Sequence, residues 1–302
     1  MATSIKIGSR GSQLALTQAN LVRDLLLRRH QGLDVEIEVI RTRGDVTAGS
    51  LRAMGGQGVF TAEIERALLD RRVDLAVHSL KDLGTAPDEA LALVASPPRE
   101  DVRDVLVAPA GSLAALPEGA CLGTDSPRRQ AQLRNLRRDL RFASIRGNID
   151  TRLGKVGDGR YDGIVLAADA LHRLGWQDRI SAYFEPDEVL PAAGQAALGL
   201  QMRADDARRG LVEELNHPPT FAAVNAERAC MRALGGGCSA PVATWARFAE
   251  DRLRLDALVS RPDGSGLLRQ QVSGAGSDPA ALGAEAAEGL LSQGAGELLP
   301  AP

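Results

Sequence analysis

Between Val73 and Asp82 a short apolar run is closed by His78, Ser79, Lys81 and Asp82. An apolar run of this length bounded by charge has the pattern of a buried strand. Open α/β sheets gather their ligands beyond the carboxyl ends of such strands. Asp82 there, with Lys81 beside it, is a candidate acid/base group; a solvated strand-to-loop turn is the competing explanation. The second candidate is Cys238, which follows Gly235, Gly236 and Gly237. Three glycines leave the sulfur sterically open, which suits a thiol carrying a covalent adduct. Cys121, in a strand, and Cys230, in an apolar helix, read instead as small buried hydrophobes. His30, His172 and His217 read as structural, so a Cys–His nucleophile pair finds little support.

The third feature is arginine. Lys6, Lys81 and Lys155 are the lysines, so 33 of the 36 basic residues are arginine. Guanidinium binds carboxylates and phosphates through a two-pronged fork. In Thr124-Asp125-Ser126-Pro127-Arg128-Arg129, Ser126 suits an N-cap and Pro127 the first helical position. Arg128 and Arg129 then oppose the helix dipole by ~0.3–1 kcal/mol each. A bound anion would resolve that conflict. Arg146 with Arg152, and then Arg173, repeat the pattern at the next strand-to-helix junctions. Solvated surface arginines explain any one junction, but not all of them at one end of a sheet.

The elements that must position these groups alternate. Strands are expected at Ile5–Gly8, Val35–Ile40, Leu91–Ala95 and Val105–Val107, and helices after Ser12 and over Thr61–Arg71. The long Gly-rich segment from Arg41 to Gln57 has the character of a lid or binding loop. A second α/β series starts at Cys121, with strands at Phe142–Ile145 and Gly163–Ala167. After a strand at Ala197–Met202, a helix at Asp205–Leu215 and a boundary turn through His217, a small α+β unit follows. It comprises a helix at Thr220–Leu234, strands at Val242–Arg247, Leu253–Val259 and Leu267–Val272, and a helix at Pro279–Leu291. The chain of 302 residues therefore reads as α/β, with two doubly wound domains and a small C-terminal α+β domain. The expected division is 1–98 with 196–216, then 99–195, then 217–302.

Aromatic residues make up 3% and the net charge is −3, which argues against a nucleic-acid surface. No apolar run is long enough to span a membrane. Three cysteines without CxxC spacing do not suggest a disulfide framework or a zinc site, and no metal is expected. The N-terminal residues run directly into a strand without a signal segment, so the expected location is the cytoplasm.

Taken together, Ile7-Gly8-Ser9-Arg10, Thr42-Arg43-Gly44-Asp45, His78-Ser79-Leu80-Lys81-Asp82, Arg128-Arg129-Gln130, Arg146-Gly147-Asn148, Thr151-Arg152-Leu153, Leu190 to Gln195 and Gly236-Gly237-Cys238 with Pro241 resemble the hydroxymethylbilane synthase (porphobilinogen deaminase) family. The resemblance covers nearly the whole chain. It implies two lobes resembling type II periplasmic binding proteins around a cleft, with the first lobe discontinuous. It also implies a dipyrromethane cofactor joined to Cys238 by a thioether. Four porphobilinogen units are added head to tail, each with loss of ammonia, and the linear tetrapyrrole is released by hydrolysis. By the same resemblance Asp82 is catalytic. Arg128, Arg129, Lys81, Ser126, Thr124 and Arg146 hold the cofactor. Arg10, Ser12, Gln18, Arg146, Arg152, Arg173 and Gln195 hold substrate. Each pyrrole carries two carboxylates, and a charge-assisted hydrogen bond contributes ~1.5–3 kcal/mol, so several arginines are needed. Ionised Asp82 would stabilise the cation left by ammonia loss by roughly 4 kcal/mol at about 4 Å and an effective dielectric of about 20. A monomer and hand-over of product to uroporphyrinogen-III synthase are further implications.

The chain departs from the family pattern at Gly11, Ala53, Gln57, Asp125 and Pro127, positions that bear on substrate contact rather than on reaction type. Two rival readings use the same cleft: a small-anion binding or sensor domain, which needs neither Cys238 nor Asp82, and a phosphoribosyltransferase whose arginines hold phosphates.

Overall fold

A computed structural model describes residues 3–42, 61–86, 88–235 and 240–299. Strand β1 (Ser4–Ser9) buries Ile5 and Ile7 and pairs in parallel with β2 (Asp34–Val39) and β3 (Leu75–Ser79). Between β1 and β2 runs helix α1 (Gln13–Arg29), which turns Ala19, Val22 and Leu26 inward. Helix α2 (Ala62–Leu69) precedes β3. After β4 (Leu91–Ala95) the chain leaves this sheet and returns much later as β10 (Leu198–Arg203). That strand pairs antiparallel with both β3 and β4, giving the order β2-β1-β3-β10-β4.

The second sheet repeats the plan. It contains β5 (Asp104–Val107), β6 (Cys121–Gly123), β7 (Arg141–Ala143), β8 (Gly163–Ala167) and β9 (Ala182–Phe184), in the order β7-β6-β8-β5-β9. Here β5 is the strand that runs against its neighbours. Helices α3 (Pro127–Leu136), α4 (Ile149–Gly157) and α5 (Ala168–Arg173) follow β6, β7 and β8. The chain crosses between the sheets twice, and the crossings touch: Glu100 N–H donates to Ala196 O at 3.3 Å, and Arg99 Nε to Gln195 O at 2.8 Å. Ala196 sits at φ +69°, a left-handed conformation costly for alanine.

Past β10 come α6 (Arg209–Glu213) and α7 (Pro218–Ala233), then a sheet of β11 (Val242–Ala249), β12 (Arg252–Val259) and β13 (Leu268–Gly274), covered by α8 (Pro279–Ser292). This third core closes on α7 and α8 through Ala226, Cys230, Leu253, Leu255, Ala286 and Leu290.

Three local readings are corrected. The helix expected over Asp205–Leu215 contracts to Arg209–Glu213, because Asp206 is already held by Arg203 and Arg208. His217 has the structural role read for it: its Nδ1 accepts the Thr220 N–H at 3.3 Å and caps α7. Pro218 and Pro219 fill the first helical positions, where a missing N–H costs nothing. The strand expected to reach Ile145 stops at Ala143, and β9 joins the sheet beside β5 without having been read from the sequence.

Candidate active site

β3 ends at Ser79, and one 3₁₀ turn, Leu80–Asp82, follows. Leu80 is buried with Leu83, Ala197 and Val224. It fits because its neighbours across the turn are glycines: a Cβ on Gly199 would lie 2.7 Å from Leu80 Cδ1, and one on Gly194 3.1 Å from Leu80 Cγ. With Leu80 pinned inward, Lys81 and Asp82 line a cleft of about 990 Å³ between the two large sheets. The loop beyond is held from α7. Arg228 donates to Leu83 O at 3.0 Å and Gly84 O at 2.6 Å, and Arg232 to Thr85 O at 3.2 Å.

The first lobe adds the start of α1. Arg10 and Ser12 line the cleft, and Ser12 Oγ caps α1 by accepting from Ala15 N–H at 3.3 Å. Gln18 lies one turn further on and bonds Ser79 Oγ at 2.9 Å. Gln18, Ser79, His78 and Asp82 surround a side chamber of about 70 Å³, large enough for water. His78 Nε2 meets Gln201 Oε1 at 3.0 Å, and Gln201 Nε2 donates to Glu65 Oε1 at 3.0 Å. Glu65 thereby orients the Gln201 amide, so His78 donates from Nε2. Burial lowers its pKa to about 4, which keeps the ring neutral.

The second lobe presents its helix starts. Ser126 Oγ accepts Arg129 N–H at 3.4 Å, and Thr124 Oγ1 accepts Ser126 N–H at 3.3 Å. The charge conflict at the start of α3 is resolved from inside the protein. Arg128 and Arg129 each meet the fully buried Asp104 at 2.7 Å. Burial pushes the Asp104 carboxyl up, but the two guanidinium groups outweigh it and hold it well below the usual range. Arg128 also donates to Leu190 O at 2.7 Å, and Arg129 to Val165 O at 2.9 Å. Arg128 still lines the cleft, and among the described residues its buried Nε has no hydrogen-bond partner. Gln195 donates to Asp104 at 3.0 Å and Val102 O at 2.7 Å, while its buried Oε1 has no hydrogen-bond partner among the described residues.

Arg146 and Arg152 line the cleft from the start of α4. Burial pushes Arg152 down, as do Arg129 and Arg146, while Asp125 and Asp82 oppose them; these charges share one space. Burial also pushes the Lys81 ammonium down, against the pull of Asp169 across the cleft and of Asp82 and Asp104. Arg173 is placed differently from the other site arginines. It is tied to Asp169 and to Ala196 O and does not belong to the cleft lining. Cys238 and most of Arg41–Gln57 lie outside the described residues; Met231 and Ala240, on either side of the cysteine segment, both line the cleft.

Among the described residues the lining carries eight cationic side chains against four acidic ones. That excess and the volume fit a polycarboxylate larger than a single ring. Cys230 is buried, and burial together with Glu227 pushes its thiol to about 12, so it is inert at neutral pH. The described residues contain no group of three or more potential metal ligands, and no described helix is long and apolar enough to cross a membrane.

Sequence reasoning missed Asp104, Asp169 and the Arg99–Glu227 pair. Arg99 contacts Glu227 at 2.6 Å, and Glu227 also accepts from Gly194 N–H at 2.6 Å and Ala246 N–H at 2.8 Å, joining both crossings to the third domain. A lone acid near a strand start carries no signal of this. Asp104 meets the arginine pair only because β5 pairs antiparallel with β8, Asp104 opposite Ala167.

Two family models match: "Porphobilinogen deaminase, dipyromethane cofactor binding domain" over residues 5–210, and the porphobilinogen deaminase C-terminal domain over 221–292. A porphobilinogen deaminase of Roseiflexus castenholzii is 47% identical over 99% of this chain and 99% of its own length. One of Syntrophobacter fumaroxidans is 44% identical over 98% of this chain and 96% of its own. Among solved structures, a periplasmic binding protein of Salmonella typhimurium covers 71% of this chain and 92% of its own, at 12% identity and a TM-score of 0.42. With both family models matched in order and relatives aligned end to end, the chain belongs to the porphobilinogen deaminase family.

Proposed function

We infer that this chain is a transferase of tetrapyrrole biosynthesis, a hydroxymethylbilane synthase that condenses four porphobilinogen molecules head to tail with loss of ammonia and releases the linear tetrapyrrole by hydrolysis. The observation that carries this reading is Asp82 on a tightly packed turn, facing an arginine-rich cleft onto which both flanks of the Cys238 segment open. Dipyrromethane, bound as a thioether on Cys238, supplies the pyrrole carbon onto which units are joined. Arg128, Arg129, Lys81, Ser126, Thr124 and Arg146 are assigned to its carboxylates. Arg10, Ser12, Arg146 and Arg152 are assigned to substrate carboxylates. Gln18 acts by holding Ser79, Gln195 by bridging to Asp104, and Arg173 by bracing the Ala196 crossing. Asp82 stabilises positive charge at the reacting methylene and exchanges protons with the pyrrole being substituted.

The three sheets support a division at 1–98 with 196–216, 99–195 and 217–302. The protein works as a cytoplasmic monomer and passes its product to uroporphyrinogen-III synthase. The test is incubation with porphobilinogen. Stoichiometric ammonia release and a two-pyrrole mass adduct on the protein, lost in Cys238→Ala, are the expected results. An unmodified protein with full activity overturns the cofactor assignment; no ammonia release overturns the activity and favours a binding module.

A further inference from the structure

We propose that Asp125 is a resident counter-carboxylate for Arg146, displaced when a substrate carboxylate arrives, and that it sets how tightly the cleft grips the growing acidic chain. This rests on the function proposed above. Asp125 lies in the loop between β6 and α3, Arg146 in the loop between β7 and α4, and both line the cleft. Asp125 Oδ2 stands 3.4 Å from Arg146 Nε, a charge contact rather than an aligned hydrogen bond, with the two side chains 31% and 30% exposed.

The contrast with Asp104 decides its character. Asp104 is fully buried, meets two guanidinium groups at 2.7 Å and is a permanent part of the lobe. The Asp125 contact is long, single and wet, so it exchanges at little cost. An incoming carboxylate can take the guanidinium with two parallel hydrogen bonds where Asp125 makes one charge contact. The backbone under Arg146 stays fixed meanwhile, because Lys155 Nζ donates to Arg146 O at 2.6 Å. Asp125 also opposes the effect of Arg129 and Arg146 on Arg152. It therefore keeps this cluster partly neutralised when no substrate acid is present, and each arriving carboxylate competes with it. The consequence is a grip loose enough for carboxylates to be passed along as the chain lengthens.

The experiment uses the holoenzyme with Asp125→Asn, alone and combined with Arg146→Gln, measuring porphobilinogen binding, turnover and intact protein mass. Asn removes the charge and keeps the shape. The expected result is porphobilinogen affinity tightened about two- to five-fold, the range set by an exposed ion pair. Turnover falls, and the mass distribution shifts toward chain-bearing protein. In the Arg146→Gln background the affinity gain disappears. Unchanged or weaker affinity in Asp125→Asn overturns the exchange, as does an equal gain without Arg146. If the wild type binds porphobilinogen but releases no ammonia, the proposed activity fails, and the affinity comparison still decides the exchange.

Discussion

At the scale of single residues, the site depends on which charges are compensated internally and which face the cleft. Asp104 is the buried counter-charge that Arg128 and Arg129 share, so removing it leaves one buried and one largely buried cation without it. Asp104→Asn should cost about 3–5 kcal/mol, the usual penalty for breaking a buried pair, read as a shift in the denaturant midpoint. His78 gives a pH signature. Its pKa in the fold is about 4, below the unfolded value near 6.5. The unfolded chain therefore takes up the proton first as pH falls. Stability should be fully present at pH 7 and decline between about 6.5 and 4, by on the order of 2–3 kcal/mol. Asp104, held low by its arginines, adds a loss of the same sign at still lower pH. Unfolding titrations from pH 7 to pH 4 should show this loss in the wild type and its absence in His78→Gln. An identical slope in both proteins would remove His78 as the cause. The place of Asp82 at the cleft was legible in the sequence because an apolar strand pattern running into a lysine–aspartate pair is a local signal. The partners of Arg128 were not, since an acid 24 residues upstream leaves no periodic trace.

At the scale of elements, the 3₁₀ turn is aimed by packing, with Leu80 wedged where Gly194 and Gly199 make room. Gly199→Ala puts a methyl 2.7 Å from Leu80 Cδ1. Overpacking of this kind costs about 1–3 kcal/mol, and relief by moving Leu80 would displace Lys81 and Asp82. A lowered melting temperature together with a loss in kcat larger than any change in KM is the expected result. A variant with wild-type kcat would mean that the turn does not set the position of Asp82. The regular elements were legible from apolar periodicity and capping residues: Ser12 and Ser126 cap α1 and α3 as their sequences indicate. The short α6 was overread because Asp206 and Arg208 match a helical pattern yet are engaged with Arg203 and Asp74.

At the scale of the whole molecule, three domains meet at one buried pair. Glu227 of α7 joins Arg99 and Gly194 of the two crossings to Ala246 of β11, while Arg228 and Arg232 hold the Asp82 loop from the same helix. The helix that precedes Cys238, the proposed cofactor cysteine, thus also holds the loop after Asp82, the proposed catalytic residue. Glu227→Ala should destabilise the protein by about 3–5 kcal/mol and broaden thermal unfolding as the third domain uncouples, a result calorimetry can read. The order of the domains was legible through the resemblance, but this joint was not, because it exists only once β10 has returned to the first sheet.

In the proposed reaction the Asp82 carboxylate, not the cleft's arginines alone, carries the condensation. The most direct test of that role is ammonia release by the Asp82→Asn holoenzyme loaded with dipyrromethane. The expected result is a folded protein with the wild-type melting temperature, retained porphobilinogen binding and turnover reduced about 10²- to 10⁴-fold. Turnover within a few-fold of wild type would contradict it.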